Sequence, residues 1–313
     1  MKIQILHQGD CYTPILCGEA RYYSFSRGAP GRLECEALDD GYLPLAPGDE
    51  IFAYDAGGEL FFAGYLFTWK RTDRDRVALL AYDALRYFKN KDTLVYENLT
   101  ASGLLQRICN QYQLKTGNLA QTPYLIGRRV EHGVTLFDIV ENALDETFRG
   151  CGKRYILHCD NGRICLSDRE TFESGVCIRA GEVTRAQIST SIDRDVYTRV
   201  RLTQYNPSLS QYETSTASSD KISEWGVLQY HGTVDRTVCA PMAARNILQA
   251  AQRPVFRASI ACAVGDLRVL GGKRISLDFT LGSEKLAGKY TVSSCTHLFS
   301  EFGHTMQLVC RKQ

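Results

Sequence analysis

A pattern that occurs twice, more than two hundred positions apart, most constrains what this chain can fold into. Gly48-Asp49-Glu50-Ile51 is followed after eleven residues by Ala63-Gly64, and Gly272-Lys273-Arg274-Ile275 is followed after eleven residues by Ala287-Gly288. Each copy reads as a Gly that opens a strand, an alternating apolar stretch, a Gly-containing turn (Gly57-Gly58 or Gly282-Ser283) and a second strand entered through Gly. That is the pattern of a β-hairpin. A further apolar alternation follows each copy, Val77-Ala78-Leu79-Leu80-Ala81 in the first and Met306-Gln307-Leu308-Val309-Cys310 in the second. Matched spacing predicts matched register, with Gly64 and Gly288 equivalent. A duplicated β unit lets n subunits present 2n quasi-equivalent modules, which points to a ring-building protein. Four identities carry the repeat, and Gly is common enough at strand ends for chance to compete with it.

The 313 residues suffice for two or three domains with cores of their own. A hydrophobic content of 44% with 23% charged residues is that of an ordinary globular protein, so nothing is disordered by composition. The opening Met1-Lys2-Ile3-Gln4-Ile5-Leu6 run is broken by His7, Gln8 and Asp10 before a signal-peptide core forms. No apolar stretch approaches the roughly 20 residues needed to cross a bilayer. The expectation is a protein neither exported by the usual route nor inserted in a membrane.

The twelve cysteines are spread along the chain rather than framed like those of a small secreted domain, and read as reduced thiols. Cys35, Cys109, Cys165 and Cys262 sit where a small apolar residue would serve a strand or helix face. Cys151, Cys159 and Cys165, with His158, form the one candidate metal constellation, but it lacks the close ligand pair of a zinc site. Packing is the better reading, and no metal or other cofactor is expected.

Charge is balanced overall but not along the chain. Residues 1–90 carry 10 basic and 13 acidic side chains (net −3), residues 91–185 carry 12 and 12, and residues 186–313 carry 15 and 10 (net +5). The basic residues form no stripe, so solvated surface explains them better than nucleic-acid recognition does.

Three regions follow. Residues 1–90 alternate short strands and turns, with 27–32 a turn and 32–37 a half-buried strand. Residues 91–185 are α+β: Thr100 caps a helix bearing Leu104, Leu105 and Ile108, and Thr135 with Asp138 resembles a capping box ahead of a second. Strands 154–159 and 163–166 then flank the hairpin signal Asp160-Asn161-Gly162. Residues 186–313 return to strands, with a mobile polar loop over 206–219 and a strand at 225–230. A helix over about 238–252 interrupts the second β unit, and strands at 255–263, 266–270, 274–281 and 289–296 lead to the last.

Several strings resemble the XkdQ/YqbQ family of phage-like tail proteins known from PBSX-type prophages. They are Ala81-Tyr82-Asp83-Ala84-Leu85-Arg86-Tyr87-Phe88-Lys89-Asn90-Lys91-Asp92, Val95-Tyr96-Glu97-Asn98, Thr100-Ala101-Ser102, Val134-Thr135-Leu136-Phe137-Asp138-Ile139, Ser191-Ile192-Asp193, Trp225-Gly226-Val227-Leu228-Gln229-Tyr230 and Gly265-Asp266-Leu267-Arg268-Val269. The resemblance spans nearly the whole chain. It implies a baseplate hub of a contractile tail, similar in role to the hubs of myophages and R-type bacteriocins. Such hubs are homotrimers in which each subunit gives two tube-like β-barrels, which would be residues 1–90 and 186–313 around a middle region at 91–185. The implied partners are the tail tube protein, the spike protein, other baseplate proteins and the tape measure, in a virion or tail-like particle assembled in the bacterial cytoplasm.

An enzyme is the competing class, because some tail hubs carry a fused muralytic domain. His-Glu-x-x-His and the serine nucleophile elbow are both absent from the sequence. Cys109 and His132 lack a surrounding motif, and the adjacent carboxylates Asp145-Glu146 and Asp39-Asp40 read as solvated surface. Gly152-Lys153 and Gly272-Lys273 lack the Gly and the Ser or Thr of a P-loop. The reading is a structural adaptor without catalytic residues, with a peptidoglycan-degrading hub as the alternative.

Overall fold

The computed structural model describes residues 1–39, 41–234 and 238–312. The chain is mainly β with few helices. Its largest element is one 13-stranded sheet that contains both copies of the repeated hairpin. Alternation dictates the sheet locally. In Arg32–Leu38, Leu33, Cys35 and Ala37 are buried while the intervening side chains are half-buried, so one face packs on a core. This strand pairs with Leu16–Phe25 on one side and Arg76–Tyr82 on the other. Leu60–Asp73, Glu50–Tyr54, Lys2–His7 and Asp10–Tyr12 continue the sheet to one edge.

The 17-residue strand Glu284–Ser300 joins the two halves of the sheet. Along one side it pairs first with Arg274–Leu281, through residues 284–291, and then with Leu16–Phe25, through residues 294–299. Its other side takes Gly303–Lys312, beyond which lie Val255–Cys262 and Val183–Ser191. Among the described residues no pairing joins the outermost strands to each other.

Among the described residues, buried side chains form four clusters. The first draws on Ile3, Leu33, Ile51, Leu66 and Leu79 and also takes in Phe299 from the far end of the chain. The second draws on Ile260, Leu277, Tyr290 and Leu308. The third lies between Ala84 and Leu166. There Thr100 accepts from the Gly103 amide to start helix Ala101–Gln111, and both halves of the Thr135–Asp138 capping box start helix Leu136–Cys151. Asn161-Gly162, both at positive φ, make the two-residue turn between Tyr155–Asp160 and Arg163–Asp168.

The fourth cluster, from Val200 to Leu248, has its own sheet. Arg199–Asn206 pairs antiparallel with Gln211–Ser218 and parallel with Gln229–Thr233, and helix Ala240–Ala251 packs against the first two. The segment between Val183–Ser191 and Val255–Cys262 is therefore a small α/β unit, more than one helix. Most of the polar loop expected at 206–219 is strand: its Ser and Thr residues are largely exposed on the outer member of a sheet, where no apolar alternation is needed. The strand expected at 266–270 is instead a turn, in which Asp266 accepts from the Val269 amide through its carbonyl and from the Arg268 amide through its carboxylate. The strand placed at 225–230 begins only at Gln229, after a short helix Ile222–Trp225.

The repeat opens identically and then diverges. The Gly48 amide donates to Leu66 O while the Leu66 amide donates to Asp49 O; Gly272, Val292 and Lys273 repeat both bonds. Both glycines have positive φ, 102° and 89°, and Ile51 and Ile275 are buried. Across the hairpins, however, Ile51 faces Gly64 whereas Ile275 faces Tyr290, two residues beyond Gly288. The first hairpin has a bulge at Ala53/Tyr54 and a long loop, while the second closes tightly at Gly282-Ser283. Gly64 and Gly288 are not equivalent.

Candidate functional site

The residues that fix the two halves of the sheet to each other form a connected polar and aromatic group. Strand Leu16–Phe25 brings Tyr22 opposite His297, and the two rings stack 5.9 Å apart. Phe299 stacks on Phe61 from the first half and on His304 from the neighbouring strand. His297 is fully buried; its Nε2 donates to Val269 O at 2.9 Å, which fixes the tautomer and leaves Nδ1 to accept from His304 Nε2 at 3.0 Å. Burial lowers the His297 pKa to about 4, and burial likewise lowers that of His304. Ser24 donates to Cys295 O and accepts from the Gly271 amide, and a Cβ on Gly271 would run into the Phe25 backbone.

Asp83 and Arg27 attach the middle region. Asp83 is buried, caps the 3-10 helix Ala84–Lys89 through the Leu85 amide and accepts from the Gly31 amide. Burial raises its pKa to about 7 against those two bonds. Arg27 in the 27–32 turn pairs with Glu141 and Asp145 on helix Leu136–Cys151. On another face of that helix Glu146 is buried and bonds Arg129, which also holds the buried Glu131. The sequence reading of Asp145-Glu146 as solvated surface fails for Glu146, because successive helical residues point about 100° apart and this one points inward. Asp39 is likewise buried, bonded to the Gly41 amide and Arg71; Asp40 lies outside the described residues.

Among the described residues no three His, Cys, Asp or Glu side chains form a group that could hold a metal ion, and those weighed for one make other local contacts. Cys151 Sγ donates to Thr147 O, Cys165 lies against the Arg163 carbonyl, and His158 stacks on Phe172 with Nε2 2.9 Å from Ser167 Oγ. Cys35, Cys109, Cys165 and Cys262 are buried as the sequence reading has them, and burial pushes Cys35 and Cys109 up to about 12, where thiols are unreactive. His132 bonds Thr93, and Cys109 lies inside the third core. Among the described residues no helix is long and apolar enough to cross a membrane.

The mainly β fold is similar to those of solved phage tail proteins. The tail protein from prophage MuSo2 of Shewanella oneidensis superposes with a TM-score of 0.71 at 13% identity, over 99% of this chain and 98% of that one. The tail protein of Neisseria meningitidis MC58 gives 0.72 at 11% identity, over 100% and 96%. The Escherichia coli c3393 protein, a type VI secretion component with structural similarity to the T4 tail proteins gp27 and gp5, gives 0.64 at 12% identity, over 99% and 76%.

The YQBQ-like family model matches residues 21–311, and the chain belongs to that family. The chain is 29% identical over 301 residues to the phage-like element PBSX protein XkdQ of Bacillus subtilis (strain 168), covering 93% of this chain and 89% of that protein. YqbQ of the same organism is 28% identical over 302 residues, with the same coverage.

Proposed function

We propose that this protein is a structural hub of a phage-tail or tail-like baseplate, a homotrimer that joins a sixfold tail tube to a threefold spike. The observation that carries the reading is the pair of glycine-opened hairpins built into one sheet by Glu284–Ser300. Residues 1–90 and 186–313 would each close into a tube-like barrel on assembly, so that three subunits present six. Residues 91–185, with the small α/β unit inside the second part, would face the spike, other baseplate proteins and the tape measure. Family membership and the fold shared with tail proteins support this role. The contractile setting, phage or R-type bacteriocin, follows from the same reading.

Sedimentation of the purified chain tests it: a trimer, alone or with tube and spike proteins, is expected, and a monomer under all these conditions overturns it. In this reading the protein has no turnover, and a clearing band in a peptidoglycan zymogram would favour the muralytic hub instead.

A further inference from the structure

Helix Ala240–Ala251 packs on one face of the small sheet formed by Arg199–Asn206, Gln211–Ser218 and Gln229–Thr233. Val200 and Leu202 belong to the core under that helix, so strand alternation turns Arg199, Arg201, Thr203 and Tyr205 to the opposite face. Every one of these four is exposed or half-buried. Register sets Thr216 and His231 beside Arg201, a threonine on each side of Thr203, and Tyr212 opposite Tyr205. The single carboxylate of the three strands, Glu213, stands level with Gln204 on the helix side and takes the Asn206 amide. The open face thus carries two guanidinium groups, roughly 6.5 Å apart along one strand, and no acid. Among the described residues no ion pair reaches either arginine.

Charge complementarity calls for an anionic partner, and the distribution of side chains says which kind. Protein interfaces are centred on apolar or aromatic anchors and are depleted of charge there. Here the centre is Arg201, Thr203 and their threonine neighbours, while the aromatic pair stands at one end. A track of guanidinium and hydroxyl donors that ends on exposed rings suits a nucleic-acid strand, whose phosphates take the donors and whose bases stack on the rings. Tyr205 and Tyr212 are 44% and 68% exposed although they touch each other, so both keep ring surface for a base. Unstacked bases belong to single strands. The basic residues form no stripe in the sequence, but strand alternation makes a short one of Arg199 and Arg201. We propose that this face is a platform for single-stranded nucleic acid, with Arg199 and Arg201 on phosphates and Tyr205 and Tyr212 against a base.

Fluorescence anisotropy of the full chain with a labelled oligothymidylate of about 15 nucleotides tests this. Saturable binding is expected, weakening about sevenfold between about 50 and 200 mM sodium chloride as two phosphate contacts are screened. Arg201→Gln should lower the slope of log K against log salt by about 0.7. Tyr212→Ala should weaken binding at least about fivefold, the loss of one stacking contact. Arg201 and Tyr212 are both exposed, so neither variant disturbs a core. Arg245→Gln, on the exposed side of the helix behind the sheet, removes the same charge elsewhere and should change neither value. Absence of saturable binding overturns the proposal, as does an unchanged slope in Arg201→Gln, an unchanged affinity in Tyr212→Ala, or an effect of Arg245→Gln equal to that of Arg201→Gln. Tighter binding of a polyglutamate of the same length also overturns it and identifies an acidic protein segment as the partner instead.

Discussion

His297 Nδ1 lies 3.0 Å from His304 Nε2, a contact that one hydrogen satisfies and a second would break. Burial holds His297 at about 4 against an ordinary 6.5, so the unfolded chain takes up a proton first as pH falls. Its contribution is therefore complete above about pH 6.5 and is lost between there and about pH 4, by about 3 kcal/mol. His158, also lowered to about 4 by burial, adds a slope of the same sign. Asp83 acts oppositely: burial raises it from 3.8 to about 7, so the folded chain holds the extra proton and gains as pH falls through that window. Urea unfolding between pH 4 and 7.5 should show Asp83→Asn steepening the acid loss and His297→Gln flattening it. Parallel profiles for all three proteins would exclude this account.

The two repeat glycines should respond differently to alanine. A Cβ on Gly64 would collide with the Tyr82 backbone carbonyl, a contact that neither strand can relieve without breaking its ladder. On Gly288 it would meet open space, and only the φ of 108° is unfavourable. Gly288→Ala should cost about 1–2 kcal/mol, and Gly64→Ala several kcal/mol or the fold itself. Equal losses in chemical denaturation would restore the equivalence that spacing alone predicts.

Arg129 and Arg27 each hold two carboxylates but differ in burial. Arg129→Ala removes the cation shared by the buried Glu131 and Glu146, leaving Glu146 its 3.9 Å contact with Arg149, and should destabilise by about 3 kcal/mol. Arg27 is exposed, and Arg27→Ala should cost no more than about 1 kcal/mol. Thermal melts of the two variants give the comparison directly.

Tyr205 and Tyr212 pack against each other at the tip of the hairpin formed by Arg199–Asn206 and Gln211–Ser218, with Leu209 exposed between them. Limited proteolysis should cut within 207–210 and spare both strands. Early cleavage throughout 206–219 would instead match the mobile loop that the composition suggests.

What the sequence disclosed tracks the range over which each signal acts. Thr100, the Thr135–Asp138 box and Asn161-Gly162 are settled within four residues, and each stands where its chemistry requires. The positive φ of Gly48 and of Gly272 is equally local. Register is not: the same eleven-residue spacing is divided between a bulge and long loop in one hairpin and a tight turn in the other. The His297–His304 contact and the Arg27 pairs needed the fold, because they join residues whose neighbours in sequence carry no sign of the partner. Gln211–Ser218 was missed because an exposed outer strand has little apolar periodicity to read.

Glu284–Ser300 has a mechanical consequence. Because residues 284–291 and 294–299 of one continuous strand bond to different halves of the sheet, a pull between those halves loads backbone hydrogen bonds across a ladder rather than stretching a tether. The bulge between Val292 and Ser294, where the change of partner falls, is the point at which that load passes from one half to the other. Load applied to either half is thus carried through one continuous strand.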